Sequence, residues 1–82
     1  MIGIVVCTHS NFAEGLKNAV EMISGENERL LACNYYGYMD IMEYANEIKK
    51  KTVNFTKCIY VCDLVNATPF NACLLNIAET KM

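Results

Sequence analysis

The residues with the most chemistry to offer are the single histidine, His9, and one aspartate, Asp63. Each stands at the end of an apolar run. Ile2-Gly3-Ile4-Val5-Val6-Cys7 leads into Thr8-His9-Ser10, and Cys58-Ile59-Tyr60-Val61-Cys62 leads into Asp63-Leu64. A neutral imidazole is a nucleophile through whichever nitrogen lacks the proton, and a carboxylate on the other nitrogen fixes tautomer and orientation. The same carboxylate stabilises the cation-like ring that develops on phosphorylation. An incoming phosphoryl group also needs hydrogen-bond donors around its oxygens, because its transfer is mostly positioning and electrostatics. Thr68-Pro69 reads as a helix start that supplies them, with Thr68 as N-cap and Pro69 at the first helical position. The expected donors are the Thr68 hydroxyl and the free amides of Phe70 and Asn71, backed by the helix dipole. Ser10, next to the histidine, completes the expected phosphate-binding set.

Three strands and three helices must alternate to position these groups. The first strand is Ile2 to Cys7. A helix follows with Asn11 as N-cap and Glu14 at capping-box spacing. Phe12, Leu16, Ala19 and Ile23 form its apolar stripe, and Glu14, Lys17 and Glu21 lie opposite at ion-pair spacing. Gly25 is a natural left-handed stop. Arg29 to Asn34 gives the second strand, and Tyr35-Tyr36-Gly37-Tyr38-Met39 a loop. Asp40 with Glu43 caps a second helix that buries Ile41, Tyr44, Ala45 and Ile48. It ends in Lys49-Lys50-Lys51, where cations suit the C-terminal dipole. The third strand, Cys58 to Cys62, is apolar on both faces, as befits a central strand of a parallel sheet. Leu74, Leu75 and Ala78 are the expected buried positions of the third helix.

Strands alternating with amphipathic helices imply an α/β fold, an open three-layer doubly wound parallel sheet of three β-α units. In such sheets sites form at the carboxyl ends of the strands. His9, the Asn34-Tyr35-Tyr36 stretch and Asp63 all fall there. If the first and third strands are neighbours, His9 and Asp63 meet.

The 82 residues make one small domain, 1–82, with 54% hydrophobic and 20% charged residues. A chain of this size buries roughly 60% of its unfolded surface, so association would help it. A net charge of −2 gives no basic footprint for nucleic acid and no polybasic membrane anchor. The apolar start lacks a basic leader and runs straight into polar residues, which suits a core strand rather than a signal peptide or span. Five cysteines, four of them in strand-like runs, suggest reduced thiols in a cytoplasmic protein.

Plainer readings stand beside these. A histidine near a helix start is often a surface residue, and most Thr-Pro helix starts are purely structural. Cys58 and Cys62 are roughly 13 Å apart along a strand, too far to share a metal. Cys7 with His9 gives only two ligands, so core packing is the default for every cysteine and no metal or cofactor is called for. The tyrosine loop is either a docking surface for a protein partner or a cover over the core. A receiver phosphorylated on Asp63 would need an acidic cluster after the first strand, where Thr8-His9 stands. A nucleotide-binding flavodoxin relative would need a glycine-rich loop there.

The motifs resemble the IIA domain of the mannose-type sugar phosphotransferase system. Ile2-Gly3-Ile4-Val5-Val6-Cys7-Thr8-His9-Ser10 followed by Phe12-Ala13-Glu14-Gly15-Leu16 looks like the family's opening strand, its Ser/Thr-His-Gly and its Ala-Glu-Gly-Leu helix. Glu21-Met22-Ile23-Ser24-Gly25-Glu26 is similar to the end of that helix. Asp63-Leu64 and Thr68-Pro69-Phe70-Asn71-Ala72 match the family's Asp-Leu and Gly-Gly-Ser-Pro-Phe-Asn stretch. The resemblance implies a phosphotransferase component in which His9 takes a phosphoryl group from HPr and passes it to a IIB domain during sugar uptake. It also implies Asp63 as orienting partner, Thr68 with the following amides as phosphate cradle, a homodimer, and a place beside a membrane sugar permease. The family's paired glycines are Asn66-Ala67 here, and Ser10 replaces the glycine after the histidine. Asn adopts the left-handed region readily, Ala at a cost. Family members continue through further strands and a last helix, and without these the third strand becomes a sheet edge. A competing expectation is therefore a non-catalytic module of this type that binds a partner without phosphoryl transfer.

Overall fold

The computed structural model describes residues 1–80, with side chains through Ile77. Its elements run β1 (Ile2–His9), α1 (Phe12–Ser24), β2 (Leu30–Tyr35), α2 (Ile41–Lys51), β3 (Lys57–Cys62) and α3 (Thr68–Thr80). The three strands are parallel in the order β2-β1-β3, so β1 is central and β3 an edge. Among the described residues β3 is thus an edge, as expected for a chain without the family's further strands, and only one of its two apolar faces is packed.

Strand alternation splits the core. Val5 and Cys7 of β1 and Cys33 of β2 face α2 and α3, where they pack with Tyr44, Ala45, Ile48, Ala72 and Cys73. Val6 and Leu30 face α1 and pack with Ala13. The expected doubly wound, three-layer architecture follows directly. The larger cluster is pinned by polar contacts: the Tyr44 hydroxyl donates to the Cys33 carbonyl, and Asn76 Nδ2 donates to the Ala45 carbonyl at 3.1 Å. Gly3 is required by close approach. A Cβ there would fall 2.1 Å from the Phe55 ring.

Helix α2 keeps its expected face: Tyr44, Ala45 and Ile48 are buried and Ile41 is half-buried. Asp40 accepts from the Met42 amide as its cap, and the three lysines occupy the last turn. Two helices depart from expectation. In α1 only Ala13 is buried, while Phe12 is 57% and Ile23 85% exposed. In α3 the buried residues are Ala72, Cys73 and Asn76, whereas Leu74 and Leu75 are exposed and Ala78 lies outside the described side chains. Small residues let α3 approach the sheet and α2 closely, and the leucines turn outward.

Candidate functional site

Strand β1 ends on His9, and β3 hands over to Asp63 one residue beyond its last, on the same edge of the sheet. Because β3 pairs directly with β1, the two side chains meet. His9 Nδ1 lies 3.2 Å from Asp63 Oδ1 and 3.1 Å from Oδ2. The His9 backbone amide also donates to Oδ2, at 3.2 Å. The carboxylate therefore grips both the ring and the main chain of the histidine. With the Nδ1 proton donated to Asp63, the remaining nitrogen Nε2 carries the lone pair. Partial burial pushes the Asp63 carboxyl up, but hydrogen bonds from the His9 ring and amide outweigh it and hold the group below its usual range.

Tyr35, paired with His9 across β1 and β2, meets the imidazole edge-on at 6.0 Å between ring centres. Its hydroxyl donates to the Met39 carbonyl at 2.9 Å, and Tyr44 packs against its other side at 5.1 Å. The sequence places Tyr35 at this sheet edge without a role beside the histidine; the alternation of β2, which puts it on the face of Cys33 and His9, makes it a wall of the site. Asn34, expected at the same edge, has a capping role that the sequence did not suggest. Its Oδ1 accepts from the Glu14 amide at 3.1 Å, so β2 supplies the side-chain cap of α1, whereas the N-cap residue Asn11 makes no such bond. The capping box expected from Asn11 and Glu14 gives way to this tertiary cap.

Two non-glycine residues in the loops around the site take the left-handed conformation. Ser10 has φ 55° and donates its amide to the Tyr35 carbonyl at 2.7 Å. Asn66 has φ 70°, and Ala67 is not in the left-handed region. One left-handed residue suffices in this loop, and the asparagine occupies that position. The expected cost of an alanine there does not arise.

Helix α3 begins at Thr68, with Pro69 buried behind it. The Asn71 amide donates to the Ala67 carbonyl at 3.0 Å, which corrects its expected role as a free donor. Asn71 Nδ2 instead braces the loop by donating to the Asn66 carbonyl at 3.2 Å. Proline has no N–H, so the amides of Thr68 and Phe70 are the donors this helix start leaves without an intrahelical acceptor. Thr8, beside His9, is buried, and its hydroxyl has no partner among the described residues.

A family profile described as PTS system fructose IIA component, of the EIIA-man type, matches residues 3–82. The chain is 28% identical over 84 residues to the PTS system fructose-specific EIIA component of Bacillus subtilis (strain 168), covering 99% of this chain and 58% of that protein. Two solved structures share the fold at 26% identity. The phosphotransferase system component EIIA from Streptococcus agalactiae superposes with a TM-score of 0.88 over 96% of this chain and 61% of its own. The PTS IIA protein associated with the fucose utilization operon of Streptococcus pneumoniae gives 0.82 over 95% and 62%. The chain thus spans about three fifths of the length of these relatives. With a family profile matching residues 3–82 and the fold shared with solved relatives, the chain belongs to the IIA component family of the sugar phosphotransferase system.

Proposed function

We propose that this chain is a cytoplasmic phosphohistidine carrier of a sugar phosphotransferase system. His9 accepts a phosphoryl group from HPr and passes it to a IIB domain that serves a membrane permease. The observation that carries the reading is the placement of both Asp63 oxygens on His9 Nδ1. In the forward step the Nε2 lone pair attacks phosphorus in line, the donor's P–N bond breaks and an Nε2–P bond forms. Nδ1 keeps its proton throughout, and the ring charge that develops is met by the Asp63 carboxylate. The Thr68 hydroxyl and the amides of Thr68 and Phe70 are assigned to the phosphoryl oxygens, at a helix N-terminus. Ser10 lends the exposed turn beside the ring, and Asn71 acts through the loop it braces. Transfer to IIB reverses the same geometry, since Nε2 leaves as a neutral nitrogen once the bond breaks.

A non-catalytic module is the second reading, favoured by one observation. Ser10 places a Cβ at φ 55°, where the family carries glycine, and so narrows the approach to the histidine. The two readings part on phosphorylation by HPr. A carrier gains one acid-labile phosphoryl group at His9, and a binding module gains none.

A further inference from the structure

All five cysteines carry free thiols, and two of them touch directly beneath the candidate site. Cys62 is the last residue of β3 and Cys73 lies in the second turn of α3, and their sulfurs are 3.8 Å apart. Cys73 is buried and Cys62 half-buried, while Cys7 and Cys33 lie deeper in the same cluster. Burial pushes the Cys62 thiol up, and its hydrogen bond with Cys73 offsets part of that. Packing of soft side chains alone would account for such a contact. What sets this pair apart is the stretch it brackets. Asp63, which holds His9, follows Cys62 directly. The left-handed Asn66 and the helix start at Thr68 to Phe70 also fall between the two cysteines.

We propose that Cys62 and Cys73 form an oxidisable pair whose disulfide slows phosphoryl uptake at His9, the second half of this resting on the carrier reading. The oxidant is a peroxide. The Cys62 thiolate attacks one peroxide oxygen, the O–O bond breaks, and a sulfenic acid forms as hydroxide leaves. The Cys73 sulfur then attacks the Cys62 sulfur. The S–O bond breaks, an S–S bond forms, and the hydroxyl departs as water with the Cys73 proton. Two thiols and one hydrogen peroxide thus give one disulfide and two waters, and a dithiol reverses the step by exchange. Exposure divides the roles: Cys62 meets the oxidant and Cys73 resolves. A disulfide bond is about 2.05 Å long, so closure draws the sulfurs together by roughly 1.7 Å. The pull falls on the end of β3 and the start of α3, whereas His9 is carried on β1. Asp63 and the helix start therefore shift against the imidazole, and a misplacement of about 1 Å costs on the order of 100-fold where rate depends on positioning. In a reducing compartment the bond is transient, as a redox sensor requires.

The test treats the purified chain with hydrogen peroxide, alkylates the remaining thiols under denaturing conditions and reads the mass. Two of the five thiols should be lost to alkylation. Chymotryptic cleavage after Phe70 should leave the Cys62 and Cys73 peptides joined until dithiothreitol parts them. The oxidised chain should then accept phosphoryl from phosphorylated HPr about tenfold more slowly or worse, and recover on reduction. Cys62→Ala, with the circular dichroism spectrum and reduced-state rate of wild type, should lose the response to peroxide, and Cys58→Ala should keep it. Five thiols that survive peroxide, or a bridge that runs to Cys7 or Cys33, would overturn the proposal. So would an oxidised chain that transfers at the reduced rate, or a Cys62→Ala variant that peroxide still slows. A reduced chain that takes up no phosphoryl group would overturn the carrier reading and the control built on it, while the peptide mapping still decides the disulfide.

Discussion

Replacing Asp63 separates what its shape does for His9 from what its charge does. Asp63→Asn keeps an oxygen able to accept from Nδ1–H and from the His9 amide, so the ring stays oriented, but the negative charge is gone. Asp63→Ala removes both. The wild-type carboxylate receives the ring proton at 3.1–3.2 Å and the backbone amide at 3.2 Å. Hydrogen bonds to an ionised group contribute about 1.5–3 kcal/mol each. With side chains 43% and 19% exposed for His9 and Asp63, solvent screening moves the expected loss toward the lower end of that range. A loss of about 1.5–2 kcal/mol in the barrier corresponds to a roughly 10- to 30-fold slower phosphoryl uptake for Asp63→Asn. Asp63→Ala should be slower again, because the ring then samples both tautomers. Rapid-quench measurement of transfer from phosphorylated HPr reads the rate directly. An Asp63→Asn rate within twofold of wild type would refute the electrostatic role, and equal rates for Asn and Ala would refute the orienting one.

Three further outcomes follow from the packing. Gly3→Ala places a Cβ 2.1 Å from the Phe55 ring, and the overpacking should cost about 1–3 kcal/mol in urea unfolding, with no loss expected if the ring had room to move. Thr8→Val removes a buried hydroxyl with no partner among the described residues, so the variant should be at least as stable as wild type and up to about 1–3 kcal/mol more so. A lower melting temperature would reveal a partner for that hydroxyl. Because the folded Asp63 carboxyl sits below its ordinary 3.8, its stabilising contribution is present above that value and is lost as pH falls through the lower folded value. The stability gap between wild type and Asp63→Asn should therefore hold from neutral pH down to about 4 and close below it. A gap that closes near neutrality would contradict the assignment.

The site was legible because strand ends are legible. Apolar runs ending at Thr8-His9 and Asp63 put both groups on one edge, and the neighbouring of β1 with β3 did the rest. Asp40 and the Tyr44-Ala45-Ile48 face could be read because α2 is covered within the chain itself. The stripe of α1 misled for the opposite reason. Phe12, Leu16 and Ile23 have the spacing of a buried face, yet all three stay exposed to differing degrees, since amphipathic spacing records which face is apolar and not what meets it. Hydrophobicity also misdirected the reading of α3. Asn76 is buried because the Ala45 carbonyl satisfies it, and Leu74 and Leu75 are displaced by the closer fit of Ala72 and Cys73. The Asn34 cap on α1 joins residues twenty apart, beyond the reach of any local capping rule.

The most direct test of the central claim is intact mass after incubating the purified chain with phosphoenolpyruvate, enzyme I and HPr under non-acidic conditions, with His9→Ala alongside. A carrier gains a single acid-labile increment of about 80 Da that the variant lacks. A folded wild-type chain that gains nothing, or a His9→Ala variant that gains the same increment, would contradict the assignment of His9 as the phosphoryl acceptor.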